Sequence, residues 1–288
     1  MTADYFAYKQ YFDYVVYKEL ARIERNREFR ASLEQLMAQE LQDFEFWQAR
    51  SVQKDFRVSP FRVWLFKSMR KVLGLTFTAK FLEGRERGMI DKYSKYLNSI
   101  ADIKERKGIE EIIKHEQFHE KKFISQVKEE KVEFMSSIVL GINDGLIELT
   151  GALVGFSFAL QNHKLVALTG LITGVSASLS MAASSYMQAK HEVGKDPRKA
   201  GLYTGISYIV VVIILVAPFL LMNNVFAAIG VMLALVLGII TALSFYASVL
   251  FDFDFKSHLG QMVLFSLGVA VIAFGIGYSF RSLSGVEV

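Results

Sequence analysis

Ile138-Val139-Leu140-Gly141-Ile142-Asn143-Asp144-Gly145-Leu146-Ile147-Glu148-Leu149-Thr150-Gly151-Ala152-Leu153-Val154-Gly155 decides how this chain is read. It sits in an apolar run that opens at Met135, and a run of about 20 mostly apolar residues is what a helix needs to cross a bilayer. Two acids interrupt it, Asp144 and Glu148, four residues apart and so on one helix face. Asp144 lies about nine residues, or roughly 14 Å, beyond the start of the run at 1.5 Å per residue. A carboxylate at that depth is costly unless it is paired, protonated or hydrated. Two readings stand. Either the helix enters the membrane later and both acids sit among headgroups, or they form a cation or proton site along a pathway, the default for an intramembrane acid.

Outward from this stretch the composition splits. Of the 33 Lys and Arg, 26 precede Met135, as do 22 of the 29 Asp and Glu, so the formal net charge of +4 belongs to the first part of the chain. The rest is neutral and apolar. Five segments read as membrane spans: roughly 136–161, 165–189, 201–222, 225–250 and 259–280. Short links, Gln161-Asn162-His163-Lys164 and Asn223-Asn224, make their neighbours antiparallel. Lys121, Lys122, Lys128 and Lys131 precede the first span; Lys190, Lys195, Arg198 and Lys199 follow the second; Lys256 follows the fourth. The opposite side has Lys164 and Arg281. The positive-inside rule therefore expects a cytoplasmic N-terminus and an external C-terminus, and the split in composition expects two domains, 1–134 and 135–288.

Cysteine is absent, which excludes a disulfide framework, a thiolate zinc site and a Cys nucleophile. Met1 to Tyr17 carries acids and aromatics instead of a basic start and an apolar core, so no signal peptide is expected and the first part is assigned to the cytoplasm. A sequence pI near 9.0 invites a nucleic-acid reading. Basic and acidic residues are interspersed and no nucleic-acid motif occurs, so anionic lipid is the expected partner instead.

Gly141 and Gly145, Gly151 and Gly155, and Gly170 and Gly174 are each spaced four apart. Such pairs let helices approach closely, and on the first span they are compatible with a homodimer seam. Met181, in Ser180-Met181-Ala182-Ala183, is either packing or a thioether that helps a transition metal shed water. Pro218 is expected to kink the third span. Phe251-Asp252-Phe253-Asp254-Phe255 reads as a solvated loop anchored by aromatics, or as a place where cations are admitted.

Residues 5–47 and 82–130 have helical periodicity with charged faces and read as two helical hairpins. Four-helix carboxylate metal sites take one Glu from each of two helices and Glu-x-x-His from each of the others. Glu116-Gln117-Phe118-His119 supplies one such pair. A shift of 76 residues lays Tyr17 on Tyr93, Glu34 on Glu110, Glu40 on Glu116, Asp43 on His119 and Gln10 on Glu86. Identity across the two windows is low, yet the coinciding positions are those a metal site needs. The half-sites are Gln10 with Glu40 and Asp43, and Glu86 with Glu116 and His119. Oxygen donors with one imidazole suit Fe²⁺, Mn²⁺ or Zn²⁺; a solvated bundle with coincidental spacing is the other reading. Between the hairpins, Phe61-Arg62-Val63-Trp64-Leu65-Phe66-Lys67-Ser68-Met69-Arg70-Lys71-Val72-Leu73 is basic, aromatic and amphipathic, placed on the inner leaflet or against the bundle.

Gly141-x-x-Asp144-Gly145 and Ser180-Met181-Ala182-Ala183 resemble the vacuolar iron transporter family. The helices before them resemble the rubrerythrin or ferritin-like domain fused to prokaryotic members. The resemblance implies an all-α chain: a ferritin-like four-helix bundle followed by five transmembrane helices. It implies a homodimeric antiporter in a prokaryotic cell membrane that exports Fe²⁺ or Mn²⁺ in exchange for protons. The bundle would capture metal, with Zn²⁺ as a surrogate, and Asp144, Glu148 and Met181 would line the path. The short loop after the second span leaves that capture to the bundle. The family's Gly-Glu-Tyr is here Ser184-Ser185-Tyr186, and Gln10 and Asp43 stand where the ferritin pattern has Glu and His, so ferroxidase activity is expected to be weak. Two other classes stay open: a membrane-anchored ferritin-like iron oxidase, and a metal-binding sensor without transport.

Overall fold

The computed structural model describes residues 2–98, 100, 102–124 and 129–284. Among them are ten helices: α1 (Ala3–Ile23), α2 (Arg27–Arg50), α3 (Pro60–Val72), α4 (Gly74–Leu97), α5 (Ile103–Ile124), α6 (Glu129–Leu160), α7 (His163–Lys190), α8 (Pro197–Leu221), α9 (Val225–Phe251) and α10 (Phe255–Ser284). They form two compact units, Met1–Lys128 and Glu129–Val288. The polarity of the chain changes at Met135, but α6 already starts at Glu129, so a polar first turn belongs to the second unit. Lys128 lies outside the described residues, as does the Lys131 side chain.

In the first unit α1 pairs with α2 and α4 with α5. Asn26 ends the first turn by capping α2, accepting from the Phe29 N–H at 3.0 Å. Gly74, at φ +86°, lets the chain turn between α3 and α4 where a side chain would be strained. Two apolar clusters fill the interior. One gathers Val16, Tyr17, Leu20, Leu33, Leu36, Leu82 and Phe123; the other gathers Phe6, Trp47, Met89, Tyr93, Ile109 and Ile112. Between them in sequence, on every long helix, lie the buried polar residues Gln10 and Asp13, Glu40 and Asp43, Glu83 and Glu86, and Glu116 and His119.

The crossover α3 packs against this interior through one face. Phe66 is buried and meets Phe12 and Phe81 edge-on, both at 5.8 Å. Arg70 donates twice to Glu24, from Nε at 2.6 Å and from the guanidinium NH₂ group at 2.8 Å. Lys67 donates to Glu19 at 3.0 Å.

The second unit has five helices long and apolar enough to cross a membrane: Met135–Leu160, His163–Lys190, Pro197–Leu221, Val225–Phe251 and Phe255–Leu283. The short links serve as caps. Asn162 accepts from Lys164 and Leu165 N–H, Asp196 from Arg198 and Lys199, and Asn224 from Phe226 and Ala227. Pro218 falls in the last turn of α8, which ends at Leu221.

Glycine lets these helices close on one another within the chain. A Cβ on Gly141 would strike the Thr204 carbonyl and Ser207 Oγ of α8, and one on Gly145 would meet Val211 at 3.3 Å. One on Gly151 would strike Val269 of α10 at 2.5 Å, and one on Gly155 would reach the Ala273 carbonyl at 3.2 Å. The glycine face of α6 is therefore filled by α8 and α10 of the same chain, the close helix approach that the spacing of four implies.

Candidate metal centre

Glu40 of α2, Glu86 of α4, and Glu116 and His119 of α5 converge so that one ligand atom from each lies within 4.8 Å of all the others. All four are buried: Glu40 and Glu116 are 1 % exposed, Glu86 2 % and His119 0 %. Glu-x-x-His puts two donors on one face of α5, and each glutamate comes from the inward stripe of its helix.

The internal shift of 76 residues organises the partners as well. Tyr17 donates to Glu86, and at the matching positions Gln10 donates to the Tyr93 hydroxyl at 2.7 Å. Gln39 Oε1 lies 3.1 Å from His119 Nε2, and the matching pair is Asp43 with His115 Nδ1 at 3.0 Å. The contacts thus obey an approximate two-fold relation between the hairpins although the residues differ. Gln39 and His115 were missed in the sequence, yet the same shift places one on the other.

Two predicted donors play other parts. The sequence offers Gln10 as a carbonyl donor; in the structure its amide donates to Glu116 Oε1 at 2.8 Å and to Tyr93, while its own carbonyl oxygen has no hydrogen-bond partner among the described residues. Asp43 is engaged by His115 and falls outside the convergent four. Asp13, also unassigned in the sequence, is buried and ion-paired with Arg85, whose guanidinium lies over the Phe12 ring at 5.1 Å and the Phe66 ring at 5.5 Å. This pair sets a fixed positive group beside the cluster without adding net charge.

Electrostatics shows what the cluster lacks. Gln39 faces His119 with its carbonyl oxygen, so Nε2–H is the donor and Nδ1 points inward. There Nδ1 comes within 3.1 Å of Glu40 Oε1 and 3.6 Å of Glu116 Oε2. No directional hydrogen bond forms, and both Glu40 oxygens, Glu116 Oε2 and His119 Nδ1 are without a hydrogen-bond partner among the described residues. Burial and the Glu116 charge push the Glu40 carboxyl well above the ordinary carboxylate range. Burial does the same to Glu86, again helped by Glu116. Burial also raises Glu116, to about 7, against the hydrogen bonds from Glu86 and Gln10. Burial lowers His119, but the Glu40 carboxylate 3.1 Å away outweighs it and the net shift is upward. Burial of these acids together favours shared protons, or a cation in their place. Three carboxylates and an imidazole match one divalent ion nearly in charge and suit Fe²⁺, Mn²⁺ or Zn²⁺ in donor type.

The second unit carries the other candidates. Asp144 is half-buried on α6, and Glu148, one turn on, is exposed and accepts from the Tyr208 hydroxyl of α8 at 2.8 Å. Asn143 Oδ1 is buried with no hydrogen-bond partner among the described residues. Met181 packs against the apolar core of the unit. Ser185 is buried and accepts from Thr204 at 2.9 Å. Asp254 caps α10 by accepting from the Ser257 N–H at 2.7 Å, and Phe253 stacks between Phe251 and His258 at 5.7 and 5.8 Å. The aromatic loop is thus built as a helix junction. Asp144 and Glu148 lie on α6 and Met181 and Ser185 on α7, the two helices that open the apolar unit.

Residues 135–195 match the VIT family.

No curated protein matches the chain. The VIT match takes in Gly141, Asp144, Gly145, Glu148, Met181 and Ser184-Ser185-Tyr186, the stretch that carries the resemblance to vacuolar iron transporters. With five apolar helices of membrane-spanning length, the VIT match fits an integral membrane metal transporter, and the buried acid–histidine cluster is one that could hold its metal.

Proposed function

We propose that the protein exports Fe²⁺ or Mn²⁺ from the cytoplasm in exchange for protons, as a prokaryotic member of the vacuolar iron transporter family. Its first unit, in this reading a ferritin-like bundle, captures the ion before transport. The VIT match over the helices that carry Asp144 and Met181 is the observation that carries this reading. Glu40, Glu86, Glu116 and His119 hold the ion in the first unit, with Gln10 and Gln39 orienting Glu116 and His119. Asp43 acts through His115.

In the spans, Asp144 alternates between proton and metal. A carboxylate in a medium of low dielectric prefers the proton, and an arriving divalent cation displaces it, so the two fluxes are linked. Glu148, held by Tyr208, assists from one turn away, and the Met181 thioether favours transition metals over Mg²⁺ or Ca²⁺. The N-terminus is cytoplasmic, the C-terminus external and the working form a homodimer whose contact uses a surface other than the α6 glycine face.

Flux of Mn²⁺ and Fe²⁺ into proteoliposomes, measured with and without an imposed pH gradient, tests the proposal. Metal-driven proton movement in the opposite sense is expected. Metal binding without flux would leave a sensor, and rapid dioxygen consumption with Fe²⁺ would make the protein an oxidase.

A further inference from the structure

The outward face of α3 takes no part in the packing of the first unit. Phe61, Trp64, Leu65 and Val72 are 51–79 % exposed. Phe61 and Trp64 stack on each other at 5.7 Å, forming an ordered ridge. At 3.6 residues per turn the four side chains fall within an arc of about 100°. Arg62, whose guanidinium donates to the Tyr8 hydroxyl at 3.0 Å, and Lys71 flank that arc on opposite sides. Lys67 and Arg70 lie on the far side, where they pair with Glu19 and Glu24. No acid occurs in α3, and Lys71 has no ion-pair partner among the described residues. The helix thus has two working faces: Phe66 and Arg70 hold it on the unit, and an aromatic ridge between two cations points away.

We infer that α3 is an interfacial helix that inserts Phe61, Trp64, Leu65 and Val72 among the headgroups of an anionic bilayer. Tryptophan is suited to that depth because its ring is apolar and its N–H needs a polar partner. Lys71, and the Arg62 N–H groups that Tyr8 does not take, reach back to lipid phosphates while the side-chain stems cover apolar surface. Charge selects lipid over a second copy of the chain. A symmetric contact through this face would set the Arg62 and Lys71 flanks of two helices beside each other with no acid on either. The five apolar helices of the same chain keep such a surface within reach.

Tryptophan fluorescence reads this directly. The chain has two tryptophans, and Trp47 is fully buried in the first unit, so a quencher in the lipid reaches only Trp64. The full chain is reconstituted into vesicles of equal parts phosphatidylglycerol and phosphatidylcholine that carry a nitroxide near the carbonyl end of the acyl chain. Trp64 emission is expected to be quenched, and Trp64→Phe, which conserves an apolar ring on the ridge, should remove the quenching and leave Trp47 emission intact. Lys71→Gln should lower the ratio of docked to undocked helix about fivefold, the effect of one basic residue near an anionic surface. Absence of lipid quenching while acrylamide still quenches Trp64 would overturn the proposal, because the ridge would then face water. Shielding of Trp64 from both quenchers, with Leu65→Glu reducing the oligomeric mass, would overturn it in favour of a protein contact. Equal quenching in pure phosphatidylcholine would overturn the requirement for anionic lipid.

Discussion

In the proposed exchange, Asp144 carries the heaviest demand of any single residue. An amide keeps its size and hydrogen bonding but cannot offset the charge of a dehydrated divalent ion or take up its counter-proton. Asp144→Asn should reduce Mn²⁺ flux in proteoliposomes by about 100-fold, on the scale of the 2.5–3.5 kcal/mol that charge at mid-bilayer involves. Metal binding by the first unit should survive. Flux at the wild-type rate would make Asp144 structural. Glu148→Gln should do less, since Glu148 is exposed and tied to Tyr208. In the buried cluster the acids lie above their ordinary range, with Glu116 at about 7. Without metal the folded form then holds more protons than the unfolded form between about 4.5 and 7, so stability falls as pH rises through that window. Unfolding followed by tryptophan emission should show the decline, and Mn²⁺ at pH 7.5 should reverse it. A metal-free stability that instead rises across the window would mean the acids are ionised and already balanced.

Single helices are placed by a few polar contacts on otherwise apolar faces. α3 depends on Arg70, which meets a Glu24 that also accepts from the Arg25 and Asn26 N–H groups at 2.8 Å. Burial opposes ionisation of Glu24, but these donors win and its carboxyl is held below the ordinary value of 4.5. A lowered folded value means stability that is present above the unfolded pKa and lost as pH falls through the folded one. Glu24→Gln should cost about 3 kcal/mol at pH 7, as breaking a buried ion pair does, and progressively less below pH 4.5. Chemical unfolding of both forms at pH 7 and pH 3.5 checks this; an equal difference at the two values would show that charge is not what holds α3. In the second unit, Asn162, Asp196 and Asn224 show why the links are so short: each ends one turn and caps the next helix.

At the scale of the molecule, two units of opposite polarity share one chain. Both tryptophans lie in the first, so tryptophan emission follows that unit alone. Sidedness is testable because the chain has no cysteine of its own. A cysteine placed at exposed Ser282 should react only with reagent added outside the cell, and one at exposed Ser94 only after permeabilisation. Labelling of both from the same side would overturn the proposed orientation.

Much of this plan was legible in the residues. Apolar runs of bilayer length mark five helices, because hydrocarbon demands continuous apolar side chains and internally satisfied backbone. The Glu-x-x-His pair and the shift of 76 residues picked out Glu40, Glu86, Glu116 and His119, because helical spacing fixes which side chains share a face. Which of the matching polar residues would face the shared centre was beyond that periodicity. Asp43 turns to His115 and Gln10 offers its amide, not its carbonyl, because those choices depend on neighbours from other helices. The glycines of α6 were legible as sites of close approach, but their partners proved to be α8 and α10. A glycine states that something comes near; only packing across the whole unit decides what does.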